Sequence, residues 1–252
     1  MLTEKRKDLI VKHVNEHEMC RLSELAKLTN SSESTIRRDL EELENLGLVR
    51  RIHGGVRSVI KLDQDIKQQV RQSLNKAAKV KLGSYVAGKY IRSNDVVYLD
   101  AGTTVQEVIN YLKPEQNLVI VTNGIDTAIT ATNQGLDTIL IGGQIKNDTR
   151  AIVGASAIAQ INALNFSVAV LGANGISEHA GITTPDLKEA SLKEAVIDRA
   201  KTSIVVADES KIGIATFAKF ADFADVQLVT NALTPTKRAI LPNKLNLEVV
   251  HK

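Results

Sequence analysis

Residues 21–55 read RLSELAKLTNSSESTIRRDLEELENLGLVRRIHGG. Leu25 and Leu28 mark a short helix that Ser23 is placed to cap. Thr29-Asn30-Ser31-Ser32 is a polar turn. The next helix can be capped by Asn30, with Glu33 at N3, or by Ser32 one register later. In it Ile36, Leu40, Leu43 and Leu46 fall at i, i+4, i+7 and i+10, an apolar stripe that must face neighbouring helices. Gly47 suits a left-handed stop. Upstream, Leu9, Ile10 and Val14 give residues 3–16 the same helical period. Downstream, residues 48–56 read as two short strands around a turn. Three helices and a basic hairpin predict a winged helix-turn-helix, an element that sets a helix in the DNA major groove.

The face opposite the stripe carries Ser34, Thr35, Arg37 and Arg38 in the first turns, where recognition helices meet bases. Arginine pairs with guanine through two bonds, and Ser or Thr bonds either bases or phosphates. The rest of the helix is acidic, with Asp39, Glu41, Glu42 and Glu44, so only its start can lie deep in the groove. Asp39 is expected to orient an arginine or a neighbouring helix. In the hairpin, Arg50, Arg51, His53, Gly54 and Arg57 are the candidate phosphate contacts, and Gly54 and Gly55 let backbone approach closely.

The net charge of +3 hides an asymmetry. Residues 1–49 sum to −2, residues 50–92 to +9 and residues 93–252 to −4. A cationic block that starts beside a groove-reading helix is the footprint of phosphate contact. It runs from Arg50 through Lys61, Lys67 and Arg71 to Arg92. Most lysines beyond residue 75 are not expected to meet phosphate.

From residue 75 a helical segment runs to about 90. Apolar strands then alternate with helices: 95–100, 117–122, 138–141, 166–171, 203–207, 226–230 and 246–250 are the strands. Helices fit 104–112, 124–133, 155–161, 186–201 and 235–240. The alternation predicts a mainly parallel sheet covered on both faces. The chain is thus read as α/β overall, with residues 1–58 binding DNA, 59–74 a basic linker and 75–252 a second domain.

Small and polar residues gather where these strands end. They are Asp100, Gly102, Thr103 and Thr104; Thr122 and Asn123; Gly142 and Gly143; and Gly172, Asn174 and Gly175. Lys211 follows the fifth strand, and Arg150 is a second cation within reach. Ligands of open α/β sheets bind outside the carboxyl ends of strands. Gly102-Thr103-Thr104 leads into a helix, where amides and hydroxyls favour a phosphate.

Several classes are excluded. Aromatics are 3% of the chain and Trp is absent, which argues against single strands stacked on an aromatic platform. The Asp100 loop lacks the lysine of a P-loop, and no G-x-G-x-x-G follows a strand, so no nucleotide cofactor is expected. Cys20 is the single cysteine, read as a small buried apolar residue. The histidines at 13, 17, 53, 179 and 251 show no metal-ligand spacing; His13 and His17 share a helix face, with no further ligand taken to be close by. The start MLTEKRKDLI has no apolar core of a signal peptide, and no run is long enough to span a membrane. A cytoplasmic protein is expected.

Arg6, Ile10, Val14 and Ser32-x-x-Thr35-Ile36-Arg37-Arg38-Asp39-Leu40 resemble the helix-turn-helix signature of DeoR/GlpR-type bacterial repressors. Arg51-Ile52-His53-Gly54-Gly55 resembles their wing. Asp100-x-Gly102-Thr103-Thr104, Leu171-Gly172-Ala173-Asn174-Gly175-Ile176, Gly181-Ile182-Thr183-Thr184-Pro185-Asp186, Glu189-Ala190 and Asp208-x-Ser210-Lys211 are similar to that family's sensor domain, itself resembling ribose-5-phosphate isomerase. Ser167, Val170 and Asn231 depart from the usual Asp, Phe and Asp. The resemblance implies a repressor of a sugar operon, controlled by a phosphorylated sugar and acting as a homo-oligomer, dimer or tetramer. Coupling would run through the basic segment 56–75 or the oligomer interface. An isomerase is the rival reading, and a constitutive DNA-binding protein whose sheet binds no effector is a third. An isomerase needs a carboxylate base, and the loop matching the isomerase's paired aspartates offers only Asn174.

Overall fold

The computed structural model describes residues 3–17, 19–46, 48–58 and 68–251, and the chain divides after Ile66 into two units. The first contains α1 (Thr3–His17), β1 (Met19–Arg21), α2 (Leu22–Thr29), α3 (Glu33–Asn45), β2 (Val49–Ile52) and β3 (Gly55–Ser58). Ile10, Val14, Leu25, Ile36, Leu40 and Leu43 are buried together as the helical period requires. Leu46 and Leu28 are not part of that core. They are 45% and 38% exposed, because the stripe drifts off the buried face at the helix ends.

The helix boundaries follow local hydrogen bonding. α2 starts at Leu22, and the Arg21 N–H donates to the Glu24 carboxylate at 2.9 Å. Ser23 therefore lies inside the helix instead of capping it. Asn30 takes a left-handed φ of 49° to end α2. Ser32 caps α3, accepting from the Thr35 N–H at 3.2 Å. Gly47 lies outside the described residues.

The wing has three strands, ordered β1-β3-β2 and all antiparallel. β1 was not expected. It changes the reading of Gly55: a Cβ there would lie 2.4 Å from the Cys20 carbonyl oxygen. Strand packing by itself therefore requires a glycine at 55. Gly54 turns the hairpin at φ +76° with open space around it. Cys20 is buried as expected. Its strand also carries the thiol to His13 and His17, with ligand atoms of all three within 4.8 Å of one another. The histidine pair thus does have a further ligand close by.

The second unit begins with α4 (Gln68–Ser73), inside the stretch read as a linker; residues 59–67 of that stretch lie outside the described residues. Then come α5 (Lys76–Tyr90), β4 (Val96–Leu99), α6 (Thr103–Ile109), β5 (Val119–Thr122), α7 (Ile125–Asn133) and β6 (Asp137–Leu140). A hairpin of β7 (Gln144–Lys146) and β8 (Ala151–Val153) leads to α8 (Ala155–Asn162) and β9 (Phe166–Gly172). β10 (Gly175–Ser177), β11 (Gly181–Thr184), α9 (Leu187–Asp198), β12 (Ala200–Val206), β13 (Ala218–Ala221), β14 (Gln227–Asn231), α10 (Pro235–Ala239) and β15 (Leu247–Val250) complete it.

Seven strands form one parallel sheet in the order β15-β14-β12-β9-β4-β5-β6. They are the seven expected strands. Alternate residues point to two cores. Val97, Leu99, Val168, Val170, Ile204 and Val206 pack with Leu82 and Val86 of α5 and Val105 and Val108 of α6. Tyr98, Ala169, Leu171 and Val205 pack with Ile161 of α8 and Leu192 and Val196 of α9. The small antiparallel sheet β10-β11-β13 and the β7–β8 hairpin escaped the sequence reading, since strands such as Gln144–Lys146, Gly175–Ser177 and Gly181–Thr184 carry no apolar run. The order places a switch beside β4. The chain runs outward through β5 and β6, then returns to β9 on the other side of β4. The carboxyl ends of two such strands leave a crevice between diverging connections.

Candidate functional site

The DNA-facing candidates divide by what they already touch. Ser34, Arg37 and Arg38 are exposed on the start of α3. Thr35 is half-buried, and its hydroxyl lies 2.8 Å from that of Ser32. Arg37 is 70% exposed and 3.9 Å from Glu33 across one turn, a contact water screens readily. Asp39 is buried, and Arg6 of α1 grips it with two bonds of 2.5 and 3.1 Å. This pair locks α3 onto α1, the orienting role expected of Asp39, and so fixes the angle at which the exposed face is presented.

In the wing, Arg50 of β2 stands directly opposite Arg57 of β3. Both are exposed, and neither has an ion-pair partner among the described residues. Like charges placed opposite each other repel, so an anion between them is favoured. Arg51 points elsewhere. Its Nε donates to Glu44 at 2.7 Å and its N–H to the same carboxylate at 2.8 Å. Those bonds hold the Glu44 carboxyl below its ordinary pKa. His53 and Gly54 are exposed at the hairpin tip.

At the switch in the large sheet, Asp100, Gly102, Gly172 and Asn174 line one cleft together with Arg71, Ala101, Ala151, Glu189 and Lys193. The buried Lys193 ammonium bonds Asp100 and also donates to the Gly172 carbonyl at 3.0 Å. Asp100 accepts in addition from the Gly172 N–H at 3.0 Å. Glu189 accepts from Thr149 at 3.0 Å, Lys146 at 3.1 Å and Thr184 at 3.1 Å. A Cβ on Gly102 would meet Gly172, Val105 and Asp100 at 3.6–3.7 Å, ordinary contact distance. The free space is about 20 Å³, room for roughly one water. A neighbouring groove of about 260 Å³ lies between Gln144–Lys146 and the start of α9.

Other expected residues stand apart from this cleft. Thr103 is buried in the first turn of α6, and Thr104 is half-buried beside it. Thr122 and Asn123 are buried fasteners: Thr122 accepts from the Gly124 N–H at 3.0 Å, and Asn123 bridges Ala101 and Ile152 at 3.2 Å each. Gly142 bonds both ways with the Gln160 amide at 3.0 Å. Gly143 at φ +154° has Ile152 and Val153 against it. Arg150 pairs with Asp126 at 2.9 Å and does not line the cleft. Gly175 abuts the Ile214 carbonyl, so its missing side chain is a packing need.

Lys211 ends the short turn Glu209–Lys211 in a second charged cluster. Here the buried Lys79 donates to the Arg71 carbonyl. Burial pushes its pKa down to about 7; Asp208 opposes the shift, and Lys211 and Arg71 add to it. Asn75 donates to Asp208 at 3.0 Å. Asn231, one of the departures from the resembled pattern, accepts from the Glu209 N–H at 2.8 Å. Sequence reasoning missed Lys193 and Glu189 as site residues. Their signal was present: 189, 192, 193 and 196 share one face of α9, so two charges sit in an otherwise apolar stripe.

Among the described residues no helix is long and apolar enough to cross a membrane. A model of the DeoR-like helix-turn-helix domain matches residues 6–61, and one of the DeoR C terminal sensor domain matches residues 74–232. The FruR transcriptional regulator of Bacillus subtilis is 37% identical over 232 residues, 91% of each chain. The glycerol-3-phosphate regulon repressor of Haemophilus influenzae is 28% identical over 231 residues, 91% of this chain and 89% of that one. A solved ribose 5-phosphate isomerase from Plasmodium falciparum is similar over 53% of this chain and 51% of its own, at 17% identity and a TM-score of 0.39. These relatives in sequence are regulators and not enzymes. With one family model over its winged helix-turn-helix and another over most of its parallel-sheet unit, the chain belongs to the DeoR family of transcriptional regulators.

Proposed function

We propose that this regulator represses an operon for sugar uptake or catabolism, and that a phosphorylated sugar bound at the carboxyl ends of β4 and β9 sets its affinity for operator DNA. The observation that carries the reading is the charged cleft at the sheet's switch point, lined by Asp100, Gly102, Gly172, Asn174, Arg71 and Lys193. Such a crevice is where open α/β sheets hold ligands. One relative points the same way, being named for a glycerol-3-phosphate regulon. As it stands the cleft is too small for a sugar phosphate. Binding must part its walls, and only a ligand with different affinities for two states shifts their balance.

In this reading Ser34, Thr35, Arg37 and Arg38 meet bases and Arg50, His53, Gly54 and Arg57 meet phosphates. Arg51 joins them only by giving up Glu44. In this reading residues 1–58 bind DNA, 59–66 connect, and the second unit, α4 and its Arg71 included, senses. A homo-oligomer with two-fold symmetry would match paired half-sites.

The test is operator binding, measured by gel shift on the DNA upstream of the protein's own gene against a panel of sugar phosphates. One of them is expected to change affinity. Gly102→Val fills the cleft at a site whose surroundings accept a Cβ, and Arg71→Ala removes a cation that lines it. Both are expected to bind operator and to lose the response. Wild-type effector affinity in both by calorimetry would place the phosphate elsewhere.

A further inference from the structure

Neither histidine of α1 nor the single cysteine is used by the function reached above. His13 and His17 lie one helical turn apart, with ring centroids 4.1 Å from each other. Nδ1 of His17 donates to the His13 carbonyl at 2.9 Å, which holds the ring at the end of the helix. The Cys20 Sγ sits 3.9 Å from that same carbonyl oxygen. The three side chains present ligand atoms within 4.8 Å of one another, ranging from the buried thiol to the exposed His17 ring.

We propose that His13, His17 and Cys20 bind a divalent transition cation of the zinc class. One thiolate and two imidazoles are the nitrogen and sulfur donors that such a borderline-soft ion takes, whereas calcium and magnesium take oxygen. Zinc bonds of about 2.3 Å to sulfur and about 2.0–2.1 Å to nitrogen put tetrahedral ligands roughly 3.5 Å apart. The present spacing closes to that by about 1 Å, within the reach of side-chain rotation. The fourth position is left to water. On binding, the thiol proton passes to solvent.

The position gives the site a consequence. Cys20 lies in β1, in register with Val56 of β3, and its neighbour Met19 pairs with Arg57. A metal here would clip the end of α1 to the wing sheet that carries the candidate phosphate contacts. Metal held only by the folded arrangement stabilises it.

The experiment uses tag-free full-length protein, reduced and stripped with a chelator, then titrated with Co²⁺ and afterwards Zn²⁺. The expected result is one Co²⁺ per chain with a thiolate-to-metal charge-transfer band, abolished as Zn²⁺ displaces it. Only Cys20 can give that band, since the chain has one cysteine. Cys20→Ser should abolish it. His17→Ala, at an exposed position, should keep the fold and weaken binding at least ~10–100-fold, the loss usual even for residues that only support a ligand. His17→Ala carries the test if the buried serine variant fails to fold. No charge-transfer band in the wild type under excess Co²⁺, or unchanged affinity in His17→Ala, would overturn the site.

Discussion

Replacing the wing arginines one at a time should separate phosphate-binding side chains from internal ion pairs. Arg50 and Arg57 face each other across β2 and β3 without an ion-pair partner among the described residues, while Arg51 is held by Glu44. Each phosphate neutralised on B-DNA contributes about −0.9 to the slope of log K against log salt. Arg50→Ala and Arg57→Ala should therefore each flatten that slope by ~0.9 per bound subunit. Between 50 and 200 mM salt this makes the variant's affinity fall by a factor about 3.5-fold smaller for each phosphate no longer neutralised. Arg51→Ala should leave the slope near wild type. The weakening should be the same for operator and unrelated DNA, since phosphates carry no sequence. Unfolding curves supply the control: removing one of two opposed like charges should stabilise the wing by ~0.2–1 kcal/mol. The assay is fluorescence anisotropy on labelled duplex over a salt series. A wild-type slope in Arg50→Ala and Arg57→Ala, or a flattened one in Arg51→Ala alone, would refute the assignment.

Three further outcomes are expected. Arg37→Ala should weaken operator binding by ~1–3 kcal/mol and relax base preference at one position, read by footprinting on a mutated operator set; an unchanged preference would remove Arg37 from base contact. Lys193→Met should destabilise the second unit by ~3–5 kcal/mol in urea melts by stranding buried Asp100, and adding Asp100→Asn should recover part of that loss. Lys79, with its pKa lowered by burial to about 7, is charged at a cost below that pH. The unfolded chain keeps the proton up to about pH 10.4, so unfolding free energy should rise with pH between about 7 and 10, by at most ~1.4 kcal/mol per pH unit. Lys79→Met should abolish that slope, and a slope surviving in the variant would assign it to another group.

Periodicity and turn chemistry were enough to read the three helices of the first unit, the hairpin and all seven strands of the large sheet. Those signals are local: a 3.6-residue stripe, a capping serine and apolar runs between polar strand ends each depend on neighbours a few residues away. The exposed candidate reading face of α3 was legible for the same reason, since it is what remains once Ile36, Leu40 and Leu43 point inward. Tertiary structure alone decided which cations stay available. Glu44 claims Arg51 across 7 residues of sequence, Asp126 claims Arg150 across 24, and Asp39 claims Arg6 across 33. The candidate effector cleft was half legible. Asp100 and Gly172 announce themselves at strand ends, but their counter-charge comes from Lys193, 93 residues beyond Asp100, on a helix whose packing sets its direction. Likewise the thiol of Cys20 meets the histidines of α1 only because β1 pairs with the wing. Electrostatic partners across a fold are chosen by the geometry of the packed elements, and a one-dimensional pattern holds no record of that geometry.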